Sequence, residues 1–255
     1  PEPGYRATGT LQLRETRLEG VSPREWHALR GKRISMIFQD PQTSLDPLMT
    51  IEEQLVETIV SHQRISRATA SQRAAALLSE TGIPNAEWRM RAYPHQFSGG
   101  MRQRAVIALA LAPEPELIIA DEPTTALDVA VQNQVLGMLR ETVRRRNIAT
   151  ILITHDMGVI AQVSDTVTVL RSGRVVEQGS TNDVLGNPSE DYTKKLVASV
   201  PLLSKRLDRF AVQEERNTPS FGHAQRRSSE LASRWLLERR EMNRGEATTA
   251  LEVSE

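Results

Sequence analysis

Short apolar runs alternate with amphipathic stretches through the middle of this chain. The runs Ile34–Phe38, Leu117–Ala120 and Thr150–Ile153 predict strands, and the continuous apolar character of the last two is typical of strands buried on both faces of a sheet. Apolar residues at helical spacing predict helices at about 68–81 and 129–145. Strands that alternate with helices in this way indicate an α/β core with a parallel sheet.

The longest stretch of helical pattern covers residues 50–112. It opens with Thr50 and Glu53, whose spacing is that of a capping box and predicts a helix start. Beyond residue 160 the pattern returns to strands, with two short runs on either side of a turn: Val167–Leu170, Ser172-Gly173 and Arg174–Glu177.

Charge and cysteine content narrow the class of protein. The 255 residues include 32 basic and 32 acidic side chains, and this balance argues against a nucleic-acid binder that works through bulk positive charge. Because the chain has no cysteine, it can form neither disulfides nor thiolate metal sites. Its longest apolar run, Ala105–Ala112, is far shorter than the roughly 20 residues of a membrane span.

Two adjacent carboxylates, Asp121 and Glu122, follow the apolar run at Leu117–Ala120. Ligands of open α/β sheets bind at the carboxyl ends of the strands, and successive side chains of a strand point in opposite directions. One carboxylate can therefore hold Mg²⁺ while the other orients and deprotonates an attacking water. The alternative is a solvated strand end, since Asp-Glu is a common dipeptide.

A glycine turn, Ser98-Gly99-Gly100, precedes a predicted helix. Glycines let the backbone approach a ligand closely, and the unpaired N–H groups and dipole of a helix start favour an anion. A plain N-cap followed by a glycine turn explains the same residues without a ligand.

Two more polar residues, His155 and Gln39, follow predicted strands, and they indicate a site only in combination with the carboxylates and the glycine turn. His155 comes after Thr150–Ile153, and its imidazole can hydrogen-bond a phosphate or an attacking water. Gln39 comes after Ile34–Phe38, and its amide oxygen can face a metal or a water. Alone, a histidine after a strand is usually structural, and a single glutamine indicates little.

Together, these features resemble the ATP-binding subunits of ATP-binding-cassette (ABC) transporters over about residues 10–201. The resemblance implies a P-loop nucleoside-triphosphatase α/β fold of the ABC type, with a helical subdomain at about 44–112 and with ATP and Mg²⁺ as ligands. The positions that carry it are Gln39, Ser98-Gly99-Gly100, Asp121-Glu122, Ala126-Leu127-Asp128 and His155.

The resemblance also implies a role for each position. Gln39 is the Q-loop residue, which contacts Mg²⁺ and couples to the membrane subunits. Asp121 is the metal-side carboxylate of the Walker B motif, and Glu122 is the catalytic base. The remaining roles are the signature motif at Ser98, Gly99 and Gly100, which acts on nucleotide held by a partner cassette, the D-loop at Asp128, and the switch histidine at His155.

Two further stretches, Phe38–Pro47 and Asn187–Thr193, resemble the peptide and nickel importer branch of this family. The implied function is an ATP-hydrolysing subunit that energises import of peptides or similar small solutes, peripheral at the cytoplasmic face of the inner or plasma membrane. Its implied partners are transmembrane permease subunits and a second nucleotide-binding domain, without nucleic acid. Two alternatives stay open: a non-catalytic degenerate cassette that contributes only a signature face, and a soluble ABC ATPase without a transport role.

No P-loop of the form Gly-x-x-x-x-Gly-Lys-[Ser/Thr] occurs among the 255 residues. The only Gly-Lys pair, Gly31-Lys32, is followed by Arg33, and Trp26 stands where the first glycine is required. The resemblance places the P-loop ahead of residue 1. We therefore expect residues 1–201 to be an N-terminally incomplete cassette that neither binds ATP tightly nor hydrolyses it alone, and whose sheet has an exposed, aggregation-prone edge.

Composition changes again after residue 201. Residues 202–255 are rich in Arg, Glu, Ser and Thr and are expected to form a C-terminal extension or linker. The last six residues, Ala250–Glu255, resemble the opening strand of another cassette, which predicts a tandem protein with two cassettes in one chain.

Overall fold

The structure, a computed structural model, describes residues 9–125 and 127–199, which divide into units at residues 9–23 and 24–199. The smaller unit holds a two-stranded antiparallel hairpin of β1 (Gln12–Leu13) and β2 (Thr16–Arg17). The predictions for Ala126, for the extension at 202–255 and for a second cassette at its end lie outside the described residues.

A three-stranded parallel sheet forms the centre of the larger unit, as the alternating pattern predicts. Its strands are β3 (Ile34–Ile37), β4 (Leu117–Asp121) and β5 (Ala149–Ile153), in the order β3-β4-β5. Helical crossovers separate the strands in sequence, as parallel pairing requires. The residues that follow each of the three strands therefore meet at one edge of the sheet.

The two faces of this sheet differ in burial. Ile37 of β3 and Ala120 of β4 are register partners, and both are fully buried in the main hydrophobic core. On the opposite face, Met36 is 40% exposed and Ile151 is 38% exposed. One sequence prediction is wrong here: β5 was expected to be buried, but most of its residues are exposed. Among the described residues, β5 pairs with no strand on its outer side, and the sheet face that carries Ile151 is left open.

Helices fill the long connection between β3 and β4. The capping box predicted from Thr50 and Glu53 is present at the start of α3 (Ile51–His62). There the hydroxyl of Thr50 accepts from the N–H of Glu53, and the carboxylate of Glu53 accepts from the N–H of Thr50. Helix α1 (Pro23–Leu29) precedes β3. The connection itself holds one 3₁₀ turn, Pro94–Gln96, and the helices α2 (Pro41–Ser44), α3 (Ile51–His62), α4 (Arg67–Glu80), α5 (Ala86–Arg89) and α6 (Gly99–Leu111).

The interior of these helices is the most completely buried part of the described chain. Leu55 and Ile59 of α3, Leu78 of α4 and Ile107 of α6 are all fully buried, and they belong to the same core cluster as the covered face of the sheet. Helix α6 therefore joins the helical stretch to the sheet, since it packs against both.

An ion cluster connects the end of α4 with the end of α7 (Val129–Arg145), the helix between β4 and β5. Glu80, the last residue of α4, accepts from Arg145 at 2.6 Å and from the Nε of Arg146 at 2.8 Å. Its side chain is only 17% exposed. Hydrogen bonds from Arg146 and Arg145 hold the pKa of Glu80 below its ordinary value even though burial opposes this shift.

The last part of the described chain is a hairpin packed against short helices. Ser172 and Gly173, at the predicted turn, both have positive φ angles (52° and 79°), as a tight two-residue hairpin turn requires. Among the described residues, no helix has the length and apolar character to cross a membrane. The elements here are α8 (Met157–Val163), β6 (Thr166–Arg171), β7 (Arg174–Ser180), α9 (Thr181–Gly186) and α10 (Asp191–Ala198).

Glu177 of β7 anchors the segment Asn187–Thr193 at the start of α10. Its carboxylate accepts from the backbone N–H and the hydroxyl of Ser189, both at 2.8 Å, and from the N–H of Glu190 at 3.3 Å. The nearby hydroxyl of Thr193 and these donors from Ser189 lower the pKa of Glu177 to about 2. The segment that resembles the peptide and nickel branch is thus held by a carboxylate of β7 through the residues just before α10.

Candidate nucleotide site

Three side chains from three strand ends meet at the carboxylate of Glu122. Glu122 directly follows β4, Gln39 follows β3 and His155 follows β5. The amide nitrogen of Gln39 donates to Oε2 of Glu122 at 2.7 Å, and Nδ1 of His155 lies 2.8 Å from Oε1. The parallel sheet therefore brings together three of the residues singled out in the sequence, at the edge where α/β proteins bind ligands.

The backbone of Glu122 is held in an unusual conformation. Its φ angle is +45°, in the left-handed region that residues other than glycine, asparagine and aspartate rarely adopt. Its N–H donates to the carbonyl of Ile153, the last residue of β5, at 2.9 Å. Strained backbone of this kind is concentrated at functional sites, where the surroundings keep it in place.

Thr125 is a site residue that the sequence analysis missed. Its hydroxyl donates to Oε2 of Glu122 at 3.0 Å, and its backbone N–H donates to the carbonyl of Glu122 at 3.3 Å. Hydrogen bonds from His155 and then from Thr125 hold the pKa of Glu122 below its ordinary value. The carboxylate is therefore ionised at neutral pH. The sequence feature that could have indicated Thr125 is its hydroxyl, three residues after the carboxylate of Glu122 at the end of a strand.

Asp121 and Gln39 supply oxygen atoms suited to Mg²⁺. Asp121 is the last residue of β4 and the register partner of Ile153, so its carboxylate lies at the same sheet edge as Glu122. Gln39 uses its amide nitrogen towards Glu122, which leaves the amide oxygen for another partner. Among the described residues, no three His, Cys, Asp or Glu side chains cluster closely enough to hold a metal. Mg²⁺ would therefore need further oxygens from phosphates and water, as it usually does.

The glycine turn begins helix α6. Ser98 is the N-cap residue, and its hydroxyl accepts from the N–H of Met101 at 3.4 Å. Gly99 and Gly100 are the first two helical residues, so their backbone N–H groups lie in the first turn, which has no intrahelical acceptors. The N-cap that the sequence offered as the alternative is therefore present, and it leaves the first-turn donors available to an anion.

Asp128 begins helix α7 beside this turn. Its carboxylate caps the helix by accepting from the N–H of Val131 at 3.0 Å. A Cβ atom built on Gly100 would lie 2.6 Å from Cγ1 of Val131, and one built on Gly99 would lie 3.6 Å from Cδ2 of Leu127. The structure thus groups Gly99 and Gly100 of this turn with the start of α7, as a second set of predicted residues.

Comparison with known proteins shows which family this chain resembles. The model of the ABC transporter family matches residues 4–125. The dipeptide transport ATP-binding protein DppD of Lactococcus lactis is 47% identical over 203 residues, which cover 79% of this chain and 58% of the relative. The oligopeptide transport ATP-binding protein OppD of Bacillus subtilis is 46% identical over 201 residues, 79% of this chain and 56% of the relative. The chain thus spans little more than half the length of these relatives.

Solved structures agree with the sequence matches. The ATP-binding cassette MJ0796, in a dimeric post-hydrolysis state bound to ADP and phosphate, superposes with a TM-score of 0.60 at 26% identity, over 68% of this chain and 74% of that one. The cbiO1 protein of Clostridium perfringens, part of an ABC transporter complex, has a TM-score of 0.60 at 27% identity, over 74% of this chain and 71% of that one. In sequence this chain is similar to ATP-binding subunits of ABC transporters, and its fold is that of an ABC-type ATP-binding cassette.

Proposed function

We propose that this chain is part of an ATP-hydrolysing subunit that energises import of peptides or similar small solutes. The similar proteins DppD and OppD are named for dipeptide and oligopeptide transport. The stretches Phe38–Pro47 and Asn187–Thr193, which resemble the peptide and nickel importer branch, also support this proposal.

Glu122 is the general base of this proposal. The observation that carries it is the set of three side chains, Gln39, Thr125 and His155, that hold the Glu122 carboxylate at the sheet edge. An ionised, fixed carboxylate can orient a water and accept its proton as the water attacks a phosphate. His155, which contacts the same carboxylate, would contact the terminal phosphate and link the presence of that phosphate to the base.

Asp121 and Gln39 would hold Mg²⁺ through a carboxylate and an amide oxygen. When bound, the ion offsets the negative charge that develops on the phosphoryl group. The contribution of Gln39 is to divide its amide between the two tasks, because its nitrogen already donates to Glu122. Binding or loss of Mg²⁺ would thus alter the hydrogen bond to Glu122 through one side chain, that of Gln39.

The signature turn would act on nucleotide held by a second cassette. Its first-turn N–H groups and Ser98 form an anion-binding helix start, and Asp128 lies next to this turn at the start of α7. The solved cassette MJ0796 is dimeric in its ADP-bound state, which supports a second nucleotide-binding domain as a partner. Transmembrane permease subunits are the other proposed partners, with the subunit peripheral at the cytoplasmic face of the membrane.

A phosphate-binding P-loop must come from outside these 255 residues, because no such motif occurs among them. The sheet supports this part of the proposal. Parallel sheets are normally covered on both faces, but Met36 and Ile151 remain exposed on one face and β5 has an open outer edge within the described residues. We therefore expect no tight ATP binding by this chain alone.

Replacing Glu122 with Gln in the complete, assembled subunit tests the proposal. The amide keeps the size of the side chain but cannot accept a proton, so ATP turnover should fall by about 10²–10⁴-fold while nucleotide binding is retained. Glu141→Gln is the matched control, since Glu141 is an exposed glutamate on α7. Turnover that survives Glu122→Gln unchanged would remove Glu122 from the role of base.

A further inference from the structure

Gly100 lies unusually close to α7, the helix that follows β4. A Cβ atom at Gly100 would lie 2.6 Å from Cγ1 of Val131, a separation at which one of the two groups must move. Val131 is branched at Cβ and has few allowed rotamers in a helix. A methyl group at residue 100 would therefore have to displace the first turn of α7 rather than one flexible side chain.

That first turn continues directly into the segment that carries Glu122. Val131 donates its N–H to Asp128 at 3.0 Å, and Leu127 donates its N–H to the carbonyl of Thr124 at 3.1 Å. Thr125, next to Thr124, donates its hydroxyl to Glu122. A short series of contacts thus runs from the signature turn, through the start of α7, to the carboxylate at the sheet edge.

We propose that Gly100 is a positioning residue for the catalytic base of its own chain. By leaving room for Val131, it seats α7 so that Thr125 reaches the Glu122 carboxylate. This inference rests on the proposed role of Glu122 as base, and it adds an effect within one chain to the action of the signature turn on nucleotide held by a partner.

The first experiment measures packing in this chain as it exists, with no nucleotide. Gly100→Ala should lower the melting temperature, although alanine in a helix with open space would raise it. Val131→Ala removes the obstructing methyl groups, so the double variant Gly100→Ala/Val131→Ala should be more stable than the sum of the two single changes predicts. Gly99→Ala is the control, because its Cβ would meet Leu127 at an ordinary 3.6 Å and should cost no stability.

The second experiment follows ATP hydrolysis in the complete, assembled subunit. Misplacing the base should lower kcat, on the order of 10²-fold for a displacement near 1 Å, with little change in KM. Gly100→Ala and Thr125→Val should both show this pattern. Adding Val131→Ala to Gly100→Ala should restore kcat. Thr125→Ser keeps the hydroxyl and should therefore retain the kcat of the parent.

Each outcome bears on the proposal. A stable Gly100→Ala chain, or one that Val131→Ala fails to rescue, overturns the packing argument. Rescue of stability without rescue of kcat also overturns the proposal, because Gly100 would then be needed only for contact with nucleotide. If Glu122→Gln leaves turnover intact while the stability rescue holds, the assignment of the base has failed and the contact between Gly100 and Val131 stands.

Discussion

The helical stretch α3–α6 and strand β5 both contain large apolar side chains, but these side chains differ greatly in burial. Ile59 of α3 is fully buried, whereas Ile153 of β5 is 47% exposed. The helices pair with neighbours close in sequence and cover one another. A parallel strand depends on partners that arrive from elsewhere in the chain. The difference shows that apolar content identifies a segment that needs covering, without identifying what covers it.

The largest expected effect comes from the same substitution made in both regions. Ile59→Ala leaves a cavity in the helical core and should lower the free energy of unfolding by about 2–5 kcal/mol. Ile153→Ala removes a side chain that is already half exposed and should cost about 1 kcal/mol or less. Urea unfolding of the two variants measures both losses. Equal losses would contradict the contrast and would mean that β5 is covered in solution.

An intermediate effect is expected where the helical stretch is tied to α7. Glu80→Gln leaves Arg145 and Arg146 without a carboxylate in a partly buried position, and should lower the free energy of unfolding by about 1–3 kcal/mol. Asp165→Asn is the comparison, because Arg144 and Asp165 form an ion pair whose side chains are 46% and 66% exposed. That change should cost less than about 1 kcal/mol. An equal cost for the two would show that burial does not distinguish the pairs.

The smallest effect is confined to acid and to the C-terminal helices. Because the pKa of Glu177 is lowered to about 2, its contribution to stability is present above the ordinary glutamate pKa near 4.5 and is lost as pH falls towards 2. Thermal unfolding between pH 6 and pH 2 should show a weaker loss in Glu177→Gln than in the parent chain. A parallel pH dependence of the two would contradict this role for the Glu177 carboxylate.

Secondary structure could be predicted most reliably from the sequence where a local hydrogen bond decides where a helix begins. The capping box of Thr50 and Glu53 marks the start of α3, and the helix predicted at 129–145 coincides with α7, which Asp128 caps. The meeting of Gln39, Glu122 and His155 could also be anticipated, because parallel strands place the residues after them at one edge. The resemblance to ABC subunits then gave each of these three residues an expected chemical role.

Prediction failed where the structure depends on distant or absent partners. A run such as Thr150–Ile153 is consistent with burial on both faces, and only the sheet order shows that β5 is an edge. Thr125 was missed because its hydroxyl becomes a site group only through the tight turn after Glu122. The contact between Gly100 and Val131 was equally invisible, since it depends on how two helix starts approach each other.

The left-handed backbone at Glu122 has a consequence for how this protein can evolve. Glycine would adopt a φ of +45° without strain, so the least costly residue for the fold at this position has no carboxylate. Backbone strain alone would therefore favour loss of the acid, whereas the hydrogen bonds from Gln39, Thr125 and His155 favour keeping it. A single main-chain torsion angle thus opposes local backbone stability to the retention of a carboxylate.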